Sequence, residues 1–254
     1  MSFPSGRFVW FEYVAGDLAR AQGFYGEVFH WKTQTMPAPG LPGGAYTMIA
    51  AGEHMLGGYL ETPAGAPPHA HWLAHLQVER AAVTAAAITA AGGTVLKPPA
   101  AMGDLGTYAV VADPLGGAFA LWQPAKPDAG AYKGVAGTFC WNELMTEDVE
   151  RSLAFYQAIG GFTDAPMAMG PLGTYHVLEH GGQGRAGVMK APMPGIPQLW
   201  MPYVQVASAD ETLARARRLG ADVKMPCDDV PGVGRLAIFA DPLGCAVGIL
   251  QPSA

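Results

Sequence analysis

Short apolar and aromatic runs, separated by polar residues, glycine and proline, dominate the chain. FVWFEYV (8–14) and FCWNELM (139–145) read as strands, and each is followed by an aspartate, Asp17 or Asp148, placed to cap a helix. Leu18, Ala21, Tyr25 and Val28 then recur at helical spacing, as do Leu153, Tyr156 and Ile159. Strands are next predicted at YTMIAAG and MLGGYL in the first half and at TYHVLEH and AGVMK in the second, each pair broken by glycine or polar residues. WLAHLQV and WMPYVQV read as further strands. A second helix follows in each half: Ser208 and Glu211 have capping-box spacing, and Gly92 and Gly220 stand where a helix would end. YAVVA and AFALW, or LAIFA and AVGIL, complete each half as strands joined by a D-P-L-G turn.

The halves are one pattern written twice. W-x-E-x4-D-x2-R-x3-F-Y begins at Trp10 and at Trp141, and D-P-L-G-x6-Q-P begins at Asp113 and at Asp241. Between them Tyr46 matches Tyr175, Gly58 matches Gly187, Trp72 matches Trp200, Gln77 matches Gln205 and Gly92 matches Gly220, in order. The expected organisation is a first module over 1–124, a linker AKPDAGAYK over 125–133 and a second module over 134–254. Each module reads as a pair of β-α-β-β-β units, an α+β arrangement in which a curved mixed sheet carries helices on its outer face. Two such modules are expected to enclose a cleft suited to a small ligand.

Composition narrows the partners. Of 254 residues 50% are hydrophobic and 14% charged, which suits a globular chain. The net charge of −6, with no basic cluster longer than Arg215 to Arg218, argues against nucleic acid and leaves small molecules as the expected partners. No apolar run approaches membrane-spanning length and the start lacks a leader-like pattern, so no membrane partner is expected and the cytoplasm is the default compartment. Monomer and homodimer both stay open. Cys140, Cys227 and Cys245 form no C-x-x-C pair and read as small hydrophobes in strands.

The W-x-E-x4-D-x2-R-x3-F-Y motif, the glycine after the second helix and the D-P-L-G turn together resemble the vicinal oxygen chelate superfamily, which includes glyoxalase I, bleomycin-resistance proteins and extradiol dioxygenases. The resemblance covers nearly the whole chain and is nearest to the two-module glyoxalase-like subgroup. It implies a divalent Zn, Ni, Mn or Fe ion acting as a Lewis acid on a substrate with adjacent oxygens. The family places one ligand seven residues before the helix-opening aspartate and another seven after the turn aspartate. Here those positions hold Trp10, Trp141, Ala120 and Gly248, none of which can ligate a hard cation. The resemblance therefore implies a protein that binds a small organic molecule without the usual metal site. The alternatives are a lyase or isomerase acting on 2-oxoaldehyde adducts through an altered site, and then a dioxygenase.

Which residues would carry such chemistry? On a strand Glu12 shares a face with Trp10, and Glu143 with Trp141, so either carboxylate is a candidate catalytic base. Glu12, His71, His75 and Glu143 form the alternative metal set. Repetition favours a structural role for both glutamates, because a shared site needs its reacting group once whereas a scaffold device recurs in every module. GQGRAG (182–187) matches a dinucleotide fingerprint but opens no helix and reads as a hairpin connection. Ligand contacts are expected from the aromatics Trp10 and Trp141 and from residues that break the repeat, namely Asn142 against Phe11 and His75 against Tyr203.

Overall fold

A computed structural model describes residues 6–38, 41, 44–63, 65, 69–126, 134–170, 173–193 and 195–253. The first module runs β1 (Phe8–Ala15), α1 (Leu18–Phe29), β2 (Lys32–Pro37), β3 (Ala45–Ala51), β4 (His54–Glu61), β5 (His71–Gln77), α2 (Ala81–Ala90), β6 (Thr94–Met102), β7 (Gly106–Ala112) and β8 (Ala118–Pro124). The second repeats this as β9 (Phe139–Thr146), α3 (Val149–Gly160), β10 (Thr163–Ala168), β11 (Thr174–His180), β12 (Gln183–Lys190), β13 (Leu199–Gln205), α4 (Ala209–Arg218), β14 (Asp222–Val230), β15 (Gly234–Ala240) and β16 (Ala246–Pro252).

Two eight-stranded mixed sheets result, in the orders β2-β3-β4-β1-β5-β8-β7-β6 and β10-β11-β12-β9-β13-β16-β15-β14. The pairs β1/β4, β5/β8, β9/β12 and β13/β16 are parallel, each joined by a crossover. Every segment expected to form a strand does so, and the α+β, two-module architecture is the one expected. The strands that no apolar run announced, β2, β6, β10 and β14, are all sheet edges. They are largely exposed, and each contains proline at a position an edge tolerates. The linker falls mostly outside the described residues.

Local signals account for the helix ends. The side chains of Asp17 and Asp148 accept from the amides of Arg20 and Arg151, each at 3.1 Å, and Ser208 accepts from the Glu211 amide at 3.3 Å. After α1 the chain must turn left-handed, and His30 does so at φ 59, where the repeat has Gly161 at φ 62. The Arg215 guanidinium then donates to the Val28 carbonyl over 3.0 Å, meeting one of the orphan acceptors at that helix end.

In space the chain divides into two compact units, and each takes half of each module. One comprises Met1–Trp10, Leu73–Ala131 and Trp141–Met201; the other comprises Phe11–Trp72, Tyr132–Cys140 and Pro202–Ala254. In the former, α2 packs on α3 over a core that includes Leu76, Ile88, Phe119, Leu121, Leu144, Phe155 and Trp200. In the latter, α1 packs on α4, and Tyr13, Tyr25, Trp72 and Phe139 form an edge-to-face aromatic cluster.

Candidate functional site

Both motif glutamates are buried, at 6% exposure for Glu12 and 5% for Glu143, so each needs a donor. In the unit carrying Glu143, that residue pairs with Gly187 on β12, and Gly187 pairs with Val177 on β11. Tyr175 shares the face of Val177, and its ring lies over Gly187 so closely that a Cβ there would overlap it. The glycine lets the phenol cross a strand to reach the carboxylate. Burial, and then the negative charge of Glu143, push the Tyr175 phenol far above its ordinary range, so it stays protonated and acts as donor. The Trp141 indole donates to the same hydroxyl at 2.7 Å.

The other unit repeats the device. Glu12 pairs with Gly58, a Cβ on Gly58 would overlap the ring of Tyr46, and the Tyr46 hydroxyl donates to Glu12 at 3.1 Å. Four repeated residue types (Trp, Glu, Tyr and Gly) thus include one mechanical unit, a tyrosine laid across a glycine to hold a carboxylate.

Positions where the resemblance implies metal ligands are filled by other means. Gly248 pairs with Tyr203, whose ring covers it and occupies the space a Cβ would need. Ala120 pairs with His75, which is 4% exposed and lies 5.4 Å, ring to ring, from Tyr108. Lys97 sits 5.1 Å over the same Tyr108 ring. His71 is exposed, its ring nitrogen 3.0 Å from the His69 carbonyl. Among the described residues no three His, Cys, Asp or Glu side chains gather as a metal site would need. Trp10, Trp141, Ala120 and Gly248 offer no donor to the superfamily's ion at the four positions the resemblance points to.

Asn142, expected as a ligand contact, alternates with Glu143 and therefore lies on the other face of β9; it is 1% exposed and its amide has no hydrogen-bond partner. Its repeat-mate Phe11 stacks on Phe139 at 4.0 Å. Trp10 and Trp141 are half-buried, and Tyr203 is buried, its carbonyl 3.5 Å from the Cys140 thiol. Burial pushes that thiol up to about 12.

The D-P-L-G aspartates, which read from the sequence as turn formers alone, hold more than a turn. Oδ1 of Asp113 accepts from the amides of Leu115 and Gly117, and Oδ1 of Asp241 from those of Leu243 and Cys245. Oδ2 of Asp113 accepts from Tyr156 at 2.8 Å and Gln198 at 2.6 Å, while Oδ2 of Asp241 accepts from Tyr25 at 2.9 Å and from Tyr13. The Tyr156 and Tyr25 bonds each join the D-P-L-G turn of one module to the F-Y tyrosine of the other module's first helix. A buried phenol and a buried carboxylate repeating together were the available sign.

The paired β-α-β-β-β units and their two eight-stranded mixed sheets define a two-module vicinal oxygen chelate fold. The chain belongs to the Glyoxalase/Bleomycin resistance protein/Dioxygenase superfamily, whose model matches residues 7–121. It is 33% identical to "Putative glyoxylase CFP32" of Mycobacterium tuberculosis over 96% of this chain and 94% of that one. It is also 29% identical to the anthracycline biosynthesis protein DnrV of Streptomyces peucetius over 98% and 94%. Among solved structures it is similar to the Mn(II)-bound glyoxalase of Novosphingobium aromaticivorans (TM-score 0.67, 17% identity, 99% of this chain and 83% of that one). It is likewise similar to 2,2',3-trihydroxybiphenyl 1,2-dioxygenase of Sphingomonas wittichii (TM-score 0.70, 14% identity, 98% and 91%). Among the described residues no helix is long and apolar enough to cross a membrane.

Proposed function

We propose that the protein binds a small organic molecule and does so without the superfamily's metal. The observation that carries this reading is the Tyr203 ring seated over Gly248, where a ligating glutamate would have to project, together with Trp10, Trp141 and Ala120 at the matching positions. In this reading Glu12 and Glu143 hold Tyr46 and Tyr175 in place, while Trp10, Trp141 and His75, which belong to one unit, offer aromatic surface to the ligand. The name of the Streptomyces relative supports a flat polycyclic quinone as the first probe. Binding of such an anthraquinone should quench tryptophan fluorescence saturably, and Trp141→Ala should weaken it several-fold. Absence of saturable quenching would sink the reading.

A second reading, a lyase or isomerase acting on 2-oxoaldehyde adducts, is favoured by the name of the mycobacterial relative. Elemental analysis of the purified protein separates the two. Stoichiometric Zn, Ni, Mn or Fe, with methylglyoxal clearance lost on Glu12→Ala, would establish the second and remove the first.

A further inference from the structure

The unit that carries Glu12 holds a cleft of about 580 Å³. Its walls are the end of α1, the turn between β3 and β4, the backbone ahead of β9 and the first turns of α4, and neither Glu12 nor Tyr46 lines it. Hydrogen bonds tie these walls together. The Trp31 indole donates to the Gly137 carbonyl and the Gly137 amide to the Gln205 carbonyl, each at 2.7 Å, while Arg215 Nε donates to the Val28 carbonyl at 3.0 Å.

The other unit repeats these elements but fills the space between them. Gly6 stands there in the place of Gly137, its amide donating to the Gln77 carbonyl at 2.9 Å. The His180 ring lies against it, 2.8 Å from where a Gly6 Cβ would stand, and its centre is 5.8 Å from that of the Phe162 ring. His180 ends β11 as Ala51 ends β3, so the cleft opens where a methyl group replaces an imidazole. The nearest atom to a Cβ on Gly137 would be the Ala51 methyl, at 3.4 Å. The charges differ as well. Arg215 is the seventh residue of α4 and Glu211 the third, and α2 has Ala87 and Val83 at those places. Glu53, in the β3–β4 turn, corresponds to Gly182.

Arg215, Glu211 and Glu53 all line the cleft. Glu211 and Arg215 are one helical turn apart, a spacing at which such a pair usually closes. Here Arg215 turns its Nε to the Val28 carbonyl instead, and among the described residues neither glutamate pairs with it. That anchor holds the side chain in place while its Nη groups keep no acceptor among the described residues, which lowers the ordering cost of a ligand. A simple anion would meet two carboxylates beside the guanidinium, and a simple cation would meet the guanidinium. A molecule that bears both charges suits all three groups. Phe29, Ala51, Val135 and Val206 add apolar wall.

We propose that this cleft binds a free α-amino acid with an apolar side chain, at a site separate from that of the proposed organic ligand. The carboxylate accepts from the Arg215 Nη groups, the ammonium donates to Glu211 and Glu53, and the side chain lies on the apolar wall.

Thermal unfolding of the full chain with L-phenylalanine as the probe tests this. The amino acid should raise Tm saturably, by about 5 °C or more at a hundredfold excess over Kd. Phenylalaninamide, which lacks the carboxylate, and N-acetylphenylalanine, which lacks the ammonium, should each bind about tenfold more weakly or worse, the worth of one charged hydrogen bond. Arg215→Gln should abolish the rise and Glu211→Gln should weaken it. Ala51→His copies the other unit's imidazole into the cleft; it should keep a Tm near that of the wild type and show no rise. No saturable rise with L-phenylalanine, an equal response to either blocked derivative, or an undiminished rise in Arg215→Gln or Ala51→His would overturn the proposal. Failure of the anthraquinone probe would leave these outcomes untouched.

Discussion

The hydroxyl of Tyr25 donates to the buried carboxylate of Asp241 over 2.9 Å, 216 residues away in sequence. That one carboxylate also holds Tyr13 and the amides of its own turn, so four donors depend on it. Asp241→Ala strands all four in a dry interior and should cost about 3–5 kcal/mol, whereas Tyr25→Phe removes a single bond and should cost about 1 kcal/mol. Urea denaturation of both variants checks the ratio. Equal losses would show that Asp241 acts only through Tyr25.

Alkaline pH should find the same ties. Burial, with neighbouring negative charge, raises the phenols of Tyr13, Tyr25, Tyr59, Tyr156 and Tyr175 well above the ordinary value near 10. Below pH 10 these groups are protonated in both folded and unfolded chains, and their contribution is fully present. Above pH 10 the unfolded chain releases protons that the folded chain keeps, so each tyrosine costs about 1.4 kcal/mol per pH unit until its folded pKa is reached. Stability, measured as the urea midpoint, should be flat through pH 9 and fall steeply between pH 10 and 11. Tyrosinate absorbance should rise in the same step as unfolding. Gradual tyrosinate absorbance without loss of structure would contradict the burial of these hydroxyls.

The fold was legible because its signals are local and repeated: apolar runs, the Asp17 and Asp148 caps, the glycines after α2 and α4. Edge strands such as β6 were not announced by any segment, since a strand packed on one side only needs no apolar alternation, and KPP breaks what pattern there is. The candidate site was legible as a list and not as an assembly. Tyr46, Gly58 and Glu12 could each be seen to repeat, but nothing in the spacing says that a phenol crosses a glycine to reach a carboxylate two strands away. Asn142 broke the repeat for the reason that makes a ligand contact plausible, yet strand alternation turns it away from Glu143. The exchange of halves between modules has no signature in a linear repeat, because the D-P-L-G aspartate and the F-Y tyrosine each look satisfied where they stand.

The tyrosine–glycine–glutamate device predicts that its glycines tolerate nothing larger. Gly187→Ala places a methyl group inside the Tyr175 ring's position and must expel the ring from Glu143. The overpacking and the lost buried bond together should cost about 2–4 kcal/mol. Gly58→Ala should behave likewise through Tyr46 and Glu12. In the double variant Gly187→Ala with Tyr175→Leu, the alanine should add little beyond the loss from Tyr175→Leu alone, a non-additivity that urea denaturation of the four chains measures. Additive losses would mean that the glycine serves the backbone and not the tyrosine.

Gly248 offers the sharpest contrast with the superfamily's metal-binding members. If the carboxylate's absence were the sole obstacle to a metal, Gly248→Glu would be a gain of function. The Tyr203 ring makes the opposite outcome the expected one: the new side chain has no room, and a charge there would be buried. Gly248→Glu should lower stability by about 3 kcal/mol or more, with no new zinc affinity in a chelator-competition titration. Removing the ring as well, in Gly248→Glu with Tyr203→Ala, should recover part of that stability, because the glutamate then occupies the vacated space. A single variant as stable as the wild type, or one that takes up zinc, would show that Tyr203 moves aside freely and that the fold still keeps room for the ion.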